Sequence, residues 1–302
     1  MKILICDPCE SEVTDFLKKN KIEIIYNPQI SSQELITEVS KYEGLLVRSR
    51  TKVTSEIIKK GKSLRFIGRI GAGVDNIDIE ECRRQKILVV NAPFSNSQSV
   101  AELTVGLIIS LLRKINIADN SMKTGAWIKN EIKGCELSGK TVGIIGYGNI
   151  GKKVAEILKV FDCKLLIYSK SNKNTSLANL FSKSDIVTVH TKLTVETRGL
   201  IDKKLLGLMK KESYFLNISR GEIVKEDDLY DVLFHEKIAG VALDVYLQEP
   251  LPEDSRWRKL NNVILTPHIA GSTIEAMKRA GLTVAADIVR ISKGETPKFK
   301  VI

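Results

Sequence analysis

The chain has 302 residues, 43% apolar and 27% charged, enough for two domains that each bury a core and ordinary for a globular protein. Its longest apolar stretch, 103–112, is broken by Thr104, Gly106 and Ser110 and falls far short of the ~20 residues a membrane span needs. The start, MKILICDPCE, does not read as a signal peptide, so the expected location is cytoplasmic. The formal charge of +11 is scattered along the chain rather than gathered in an arm or stripe, which disfavours nucleic acid as a partner and suits small anionic ligands.

Over the first ninety residues apolar runs predict strands at 3–6, 22–26, 44–47, 66–70 and 87–90. Helices are expected at 12–19, 32–42, 55–60 and 79–84, with Ser31-x-x-Glu34 as a capping box for the second. A single helix is predicted over 100–124, closed by Gly125. A second alternation follows, with strands at 141–145, 164–168, 186–190, 214–218, 241–244 and 263–265. Its helices fall at 152–161, 177–182, 203–209 and 226–235, and a last helix spans 273–293 before Gly294 and Pro297.

This pattern is α/β, with two doubly wound parallel-sheet domains. A Rossmann dinucleotide-binding domain over 95–272 is inserted into a smaller flavodoxin-like substrate-binding domain made of 1–94 and 273–302. The two long helices are expected to bridge the halves and leave a ligand cleft between them.

The five cysteines, Cys6, Cys9, Cys82, Cys135 and Cys163, are odd in number and dispersed, which suits free thiols. Cys6-x-x-Cys9 raises a redox or metal role. No second pair or nearby histidine completes a zinc site, so the expectation is incidental thiols and no metal.

The run TVGIIGYGNIG at 141–151 carries the clearest chemistry. Gly146 allows a tight turn, Gly148 lets a pyrophosphate approach the backbone, and Gly151 lets the helix pack on the strand. With Asn149 and Ile150 they form the expected phosphate-binding turn, placed between a strand and a helix as the motif requires.

Three histidines are present. His235 is expected on the exposed side of a helix. His190 ends a strand. His268, in the loop TPHIAGST after a strand, stands where a general acid/base belongs. Arg220 and Glu249 also close strand-bearing runs. Oxidising a 2-hydroxy acid by hydride transfer needs a cation for the carboxylate, a base for the hydroxyl proton and an acid group to orient that base.

The segments VRSRTKVT, GRIGAGVDNID, NAPFSNSQSVAELT, SMKTGAW, ELSGKTVGIIGYGNIG, NISRGEIV, ALDVYLQEP and TPHIAGST, in this order, resemble the D-2-hydroxyacid dehydrogenase family, and its phosphoglycerate branch most closely. The resemblance implies an NAD(P)-dependent oxidoreductase that converts 3-phosphoglycerate to 3-phosphohydroxypyruvate, at the entry to serine biosynthesis. It implies Arg220, Glu249 and His268 as the catalytic set. Arg48, Arg50, Ala72 and Gly73 fall at the substrate anion. Asp244 matches a contact to the nicotinamide amide, and Thr191, Ile218 and Gly271 fall at other cofactor positions. Lys129 matches a contact to the phosphate across subunits, with a solvated loop lysine as the blander reading. A homodimer is implied through the long helix and SMKTGAW.

Three departures stand out. The strand KLLIYSKSNK ends in Ser169, followed by Lys170 and Lys173, where an acid would bind the ribose 2′-hydroxyl. NADP is therefore expected to be accepted; the alternative is that serine only weakens ribose binding and NAD remains the cofactor. Lys192 stands where the family has proline. The chain closes at PKFKVI, without the serine-binding regulatory region of longer members, so no inhibition by serine is expected. Two further readings stay open. One is a glyoxylate or hydroxypyruvate reductase, or another member of the family. The other is a dinucleotide-sensing, corepressor-like binding protein.

Overall fold

Runs such as IVTV and GVAL are apolar at every position, the pattern of strands covered by helices on both faces. The computed structural model describes residues 1–170 and 174–302, so Lys173 lies outside the described residues. The chain divides into two compact units, one of residues 1–96 and 272–302 and the other of 97–271.

The first unit holds strands β1 (Lys2–Ile5), β2 (Glu23–Tyr26), β3 (Gly44–Val47), β4 (Phe66–Arg69) and β5 (Leu88–Val90), and helices α1 (Ser11–Lys19), α2 (Ser32–Glu38), α3 (Ser55–Lys60) and α4 (Ile79–Arg84). The sheet order is β2-β1-β3-β4-β5, all parallel, the flavodoxin-like arrangement. The capping box forms: Ser31 Oγ accepts from Glu34 N, and Ser31 N donates to Glu34.

The second unit holds α5 (Ser97–Arg113), α6 (Ile115–Lys123), β6 (Thr141–Ile145), α7 (Asn149–Val160), β7 (Lys164–Tyr168), α8 (Leu177–Lys183), β8 (Ile186–Val189), α9 (Lys203–Leu206), β9 (Tyr214–Asn217), α10 (Glu226–Phe234), β10 (Gly240–Leu243) and β11 (Val263–Leu265). The last helix, α11 (Ile274–Ser292), returns to the first unit. The second sheet runs β11-β10-β9-β8-β6-β7, again all parallel. The strand order reverses between β6 and β8. The loops leaving these strands therefore flank the crevice where such sheets bind ligands.

The tail after α11 runs antiparallel along β5, with Val301 N on Val89 O and Asn91 N on Phe299 O. Buried Asp287 fixes it by accepting from Lys298 N at 2.7 Å and Phe299 N at 2.8 Å.

Two sequence expectations are corrected. The helix over 100–124 is two helices, because Lys114 takes a left-handed φ of 51°. The carbonyl of Leu112 is taken by Cys135 N at 2.9 Å, a partner from a later loop that periodicity does not reveal. The helix expected from 152 starts at Asn149, so Gly151 lies inside it and Gly148 is its N-cap.

Asp185 ties the start of β6 to the turn before β9, accepting from Thr141 N and Lys210 Nζ, each at 2.8 Å. Burial raises its carboxyl pKa, but Lys210 and the Thr141 N–H outweigh this and hold it below the ordinary carboxylate range. A depressed folded-state pKa contributes stability above the unfolded value, and that contribution is lost as pH falls through the folded one. Asp185→Asn is therefore expected to cost about 1–2 kcal/mol at pH 7. The gap from the unaltered protein should close as pH drops below the carboxylate range. Urea unfolding of both proteins over a pH series checks this.

Candidate active site

Two of the three glycines of 146–151 have steric reasons within the chain, and the third borders open space. Gly146 has a φ of 95°, and a Cβ on it would lie 2.6 Å from the His190 carbonyl carbon. A Cβ on Gly151 would lie 2.1 Å from the Gly146 carbonyl oxygen, so α7 packs directly on the turn. At Gly148 a Cβ would meet nothing within 4 Å. The open space is at the helix N-terminus, and no side chain caps α7. Bare space before an uncapped helix start fits the pyrophosphate of a dinucleotide. Asn149 and Ile150 open the helix there.

Other cofactor-position residues sit at strand ends of the same sheet. Thr191 follows β8, and its carbonyl accepts from the Ser219 hydroxyl. Ile218 follows β9 and is buried, while Gly271 ends the unit after β11. Ser169 follows β7 directly. Next to it, Lys170 Nζ pairs with Glu196 at 3.6 Å, which sets a carboxylate beside that cation. His190 bonds Thr188 Oγ1 at 2.9 Å, and burial pushes its pKa down to about 3, so it is neutral at physiological pH and unsuited to act as a base.

Arg220, Glu249 and His268 follow β9, β10 and β11, three neighbouring strands. His268 Nδ1 lies 2.7 Å from Glu249 Oε2, and Tyr246 N donates to Glu249 Oε1 at 3.1 Å. Burial pushes the Glu249 carboxyl up, but the His268 imidazole, the Tyr246 N–H and the nearby Arg220 charge outweigh it and hold it low. An ionised carboxylate only accepts, so Nδ1 carries the proton and donates. The lone pair is left on Nε2, with the imidazole side chain 47% exposed and open to a ligand.

His268 is held in an unusual backbone state. Its φ is 53°, a left-handed conformation that costs a non-glycine residue about 1–2 kcal/mol. The loop is gripped from β10. Buried Asp244 accepts from Thr266 Oγ1 at 2.6 Å, Ile269 N at 2.9 Å and Ala270 N at 3.0 Å. The Tyr246 hydroxyl donates to Thr266 O at 2.9 Å. A Cβ on Gly221 would lie 2.2 Å from the Tyr246 carbonyl carbon, so only glycine lets the Arg220 turn pack on the backbone that orients Glu249. The sequence reading missed Gly221 and Tyr246. The available signals were a glycine directly after a strand-end arginine and a tyrosine between two acids.

In the first unit, Arg48 reaches Pro8 O at 3.0 Å and Met277 Sδ at 2.7 Å. Arg50, expected at the substrate anion, is directed elsewhere: its guanidinium bonds Asp7, Ile30 O, Cys6 O and Pro28 O. Its donors hold two loops together; Arg48 makes fewer such bonds and stays the candidate anion contact. Ala72 and Gly73 lie in the loop after β4, where Ala72 O accepts from Asn91 Nδ2 at 2.6 Å. Burial pushes the Cys6 thiol up to about 12 and the Cys9 thiol to about 11. Both stay protonated at neutral pH, the inert rather than the reactive form. Among the described residues no helix is long and apolar enough to cross a membrane.

Residues 105–270 match the family model of the D-isomer specific 2-hydroxyacid dehydrogenase, NAD binding domain. The chain is 43% identical to a D-3-phosphoglycerate dehydrogenase of Archaeoglobus fulgidus over 97% of its own length and 58% of that protein's. It is 37% identical to a hydroxypyruvate reductase of Thermotoga maritima, covering 96% of this chain and 97% of that one. The structure also resembles the NAD+-bound 3-phosphoglycerate dehydrogenase of Entamoeba histolytica, with a TM-score of 0.86, 30% identity, and coverage of 100% of this chain and 98% of that one. The chain thus belongs to the D-isomer specific 2-hydroxyacid dehydrogenase family, and its second unit is the family's NAD-binding domain. It spans little more than half the length of the Archaeoglobus relative.

Proposed function

We propose that the chain interconverts a D-2-hydroxy acid and its 2-oxo acid with NAD, and that 3-phosphoglycerate is the hydroxy acid. One observation carries the hydride-transfer part of this reading, and the similarity to phosphoglycerate dehydrogenases supports the substrate. The His268–Glu249 contact of 2.7 Å stands under the Arg220 charge, at the ends of three neighbouring strands.

Bound at the 146–151 turn, NAD supplies the hydride acceptor. His268 Nε2 takes the hydroxyl proton as the C2 hydrogen departs with its electron pair, which leaves the C2 carbonyl. Nδ1–H stays on Glu249, whose charge stabilises the imidazolium as it forms. In the reverse direction Nε2–H returns the proton to the carbonyl oxygen. Arg220 holds the substrate carboxylate and polarises the C2 oxygen. Arg48 is the proposed contact for the distal phosphate.

A hydroxypyruvate reductase is the second reading, favoured by the Thermotoga relative of nearly equal length. Initial rates with 3-phosphoglycerate, hydroxypyruvate and glyoxylate separate the two. We expect the highest kcat/KM for the phosphorylated pair, and Arg48→Ala to lower it for that pair alone. Equal rates with hydroxypyruvate, unaffected by Arg48→Ala, would favour the second reading.

The same assay tests the cofactor. With Ser169 in place of an acid, NADP is expected to work within about tenfold of NAD. Glu196→Gln, which removes the carboxylate beside Lys170, should shift the ratio further toward NADP. A ratio unchanged by that substitution would remove Glu196 from cofactor selection.

We also propose a homodimer through α6 and the segment after it. No α6 residue is buried within this chain, Ile115 and Met122 are exposed, and Trp127 is 75% exposed. Such apolar surface is typical of a covered interface, with an aromatic residue as its anchor. Sedimentation should show a dimer that Trp127→Asp converts to monomer.

A further inference from the structure

We propose that Asp244 is a positioning residue for His268: it holds the loop 266–270 so that the imidazole meets Glu249 with the proton on Nδ1 and the lone pair on Nε2. This inference rests on the acid–base role proposed above for His268.

The argument starts from the backbone. The two N–H groups directly after the left-handed His268 are those of Ile269 and Ala270. Each donates to a different oxygen of Asp244, Ile269 to Oδ1 and Ala270 to Oδ2. Thr266 Oγ1, two residues before His268, donates to Oδ1 as well. Asp244 therefore brackets His268 from both sides. It is 1% exposed, so no water competes for these bonds.

The chemistry requires a carboxylate. Both oxygens face N–H donors, and an amide would turn its own NH2 toward one of them. Asparagine is close in size and shape but would leave one backbone N–H unpaired and repelled, releasing the loop on one side. Asp244 also directs the same loop as Tyr246, whose hydroxyl bonds Thr266 O and whose N–H bonds Glu249. The two partners of the His268–Glu249 pair are thus set from one short segment, 244–249.

The test compares Asp244→Asn with the unaltered protein. Two-bond proton–nitrogen correlations of the apo protein read the His268 tautomer, with His268→Gln assigning the signal among three histidines. We expect the Nδ1–H form to dominate in the unaltered protein and to give way to a mixture in Asp244→Asn. We also expect kcat to fall about 10²-fold, as for a misplaced catalytic group. Both Asp244 oxygens are engaged by the loop, so, against the nicotinamide contact that the family resemblance implies, the NAD dissociation constant from fluorescence titration should stay within about threefold.

An unchanged tautomer would overturn the proposal. So would an NAD dissociation constant that rises as far as kcat/KM falls, which is the signature of a direct cofactor contact. Should Asp244→Asn not fold, Thr266→Val removes one of the three bonds and is read the same way. A tautomer unmoved there also overturns the proposal. The tautomer measurement needs no turnover, so it stands apart from any failure of the proposed reaction.

Discussion

His268→Gln is expected to lower kcat by about 10²–10⁴-fold at neutral pH, with the NAD dissociation constant unchanged. The loss follows from the site. Nδ1–H donates to Glu249, so Nε2 is the basic position, and His190 is held neutral elsewhere on the same sheet edge. Glutamine keeps a polar contact but accepts no proton near neutral pH. Glu249→Gln should cost less, because it removes the orienting charge and not the base. The double variant should be no slower than His268→Gln alone, since groups that act as one unit are not additive. Steady-state rates and fluorescence titration of NAD check this. A His268→Gln enzyme within about threefold of the original would place the base elsewhere.

Gly221→Ala is the second large effect. Its Cβ would sit 2.2 Å from the Tyr246 carbonyl carbon, 2.3 Å from its oxygen and 2.6 Å from Leu247 N. These are backbone atoms, so no side chain can swing aside. The strand ends must part, and Glu249 moves with the Tyr246 N–H that holds it. Overpacking of this kind costs about 1–3 kcal/mol in stability. The activity loss should exceed what that destabilisation explains, about 10²-fold in kcat, because Arg220 and Glu249 lose their relative placement. Denaturant unfolding and kcat measured on one preparation separate the two effects. Full activity in a destabilised Gly221→Ala enzyme would show that the contact serves folding alone.

The sequence makes some of this architecture legible and conceals other parts, for identifiable reasons. Strands covered on both faces, such as VGII, IVTV and GVAL, stand out as unbroken apolar runs. The glycine run declares its turn because Gly146 and Gly151 each answer a separate steric demand. Arg220, Glu249 and His268 are visible as polar residues just past strand ends, where parallel sheets place chemistry.

What periodicity misses is long-range bonding between side chain and backbone. Nothing local says that Cys135 N takes the Leu112 carbonyl and so ends α5. Arg50 reads as a free cation, yet its donors reach residues 6, 7, 28 and 30. Asp244 shows an acid at a strand end but not the three donors it accepts from, 22 to 26 residues later.

The most direct test follows the hydrogen itself. The enzyme is incubated with NAD and D-3-phosphoglycerate deuterated at C2, and the reduced dinucleotide is examined by NMR. We expect direct transfer beside His268 and Arg220 to place the deuterium on the nicotinamide ring at C4. A reduced dinucleotide free of deuterium, or none formed from this or any other C2-deuterated D-2-hydroxy acid, would contradict hydride transfer at this site.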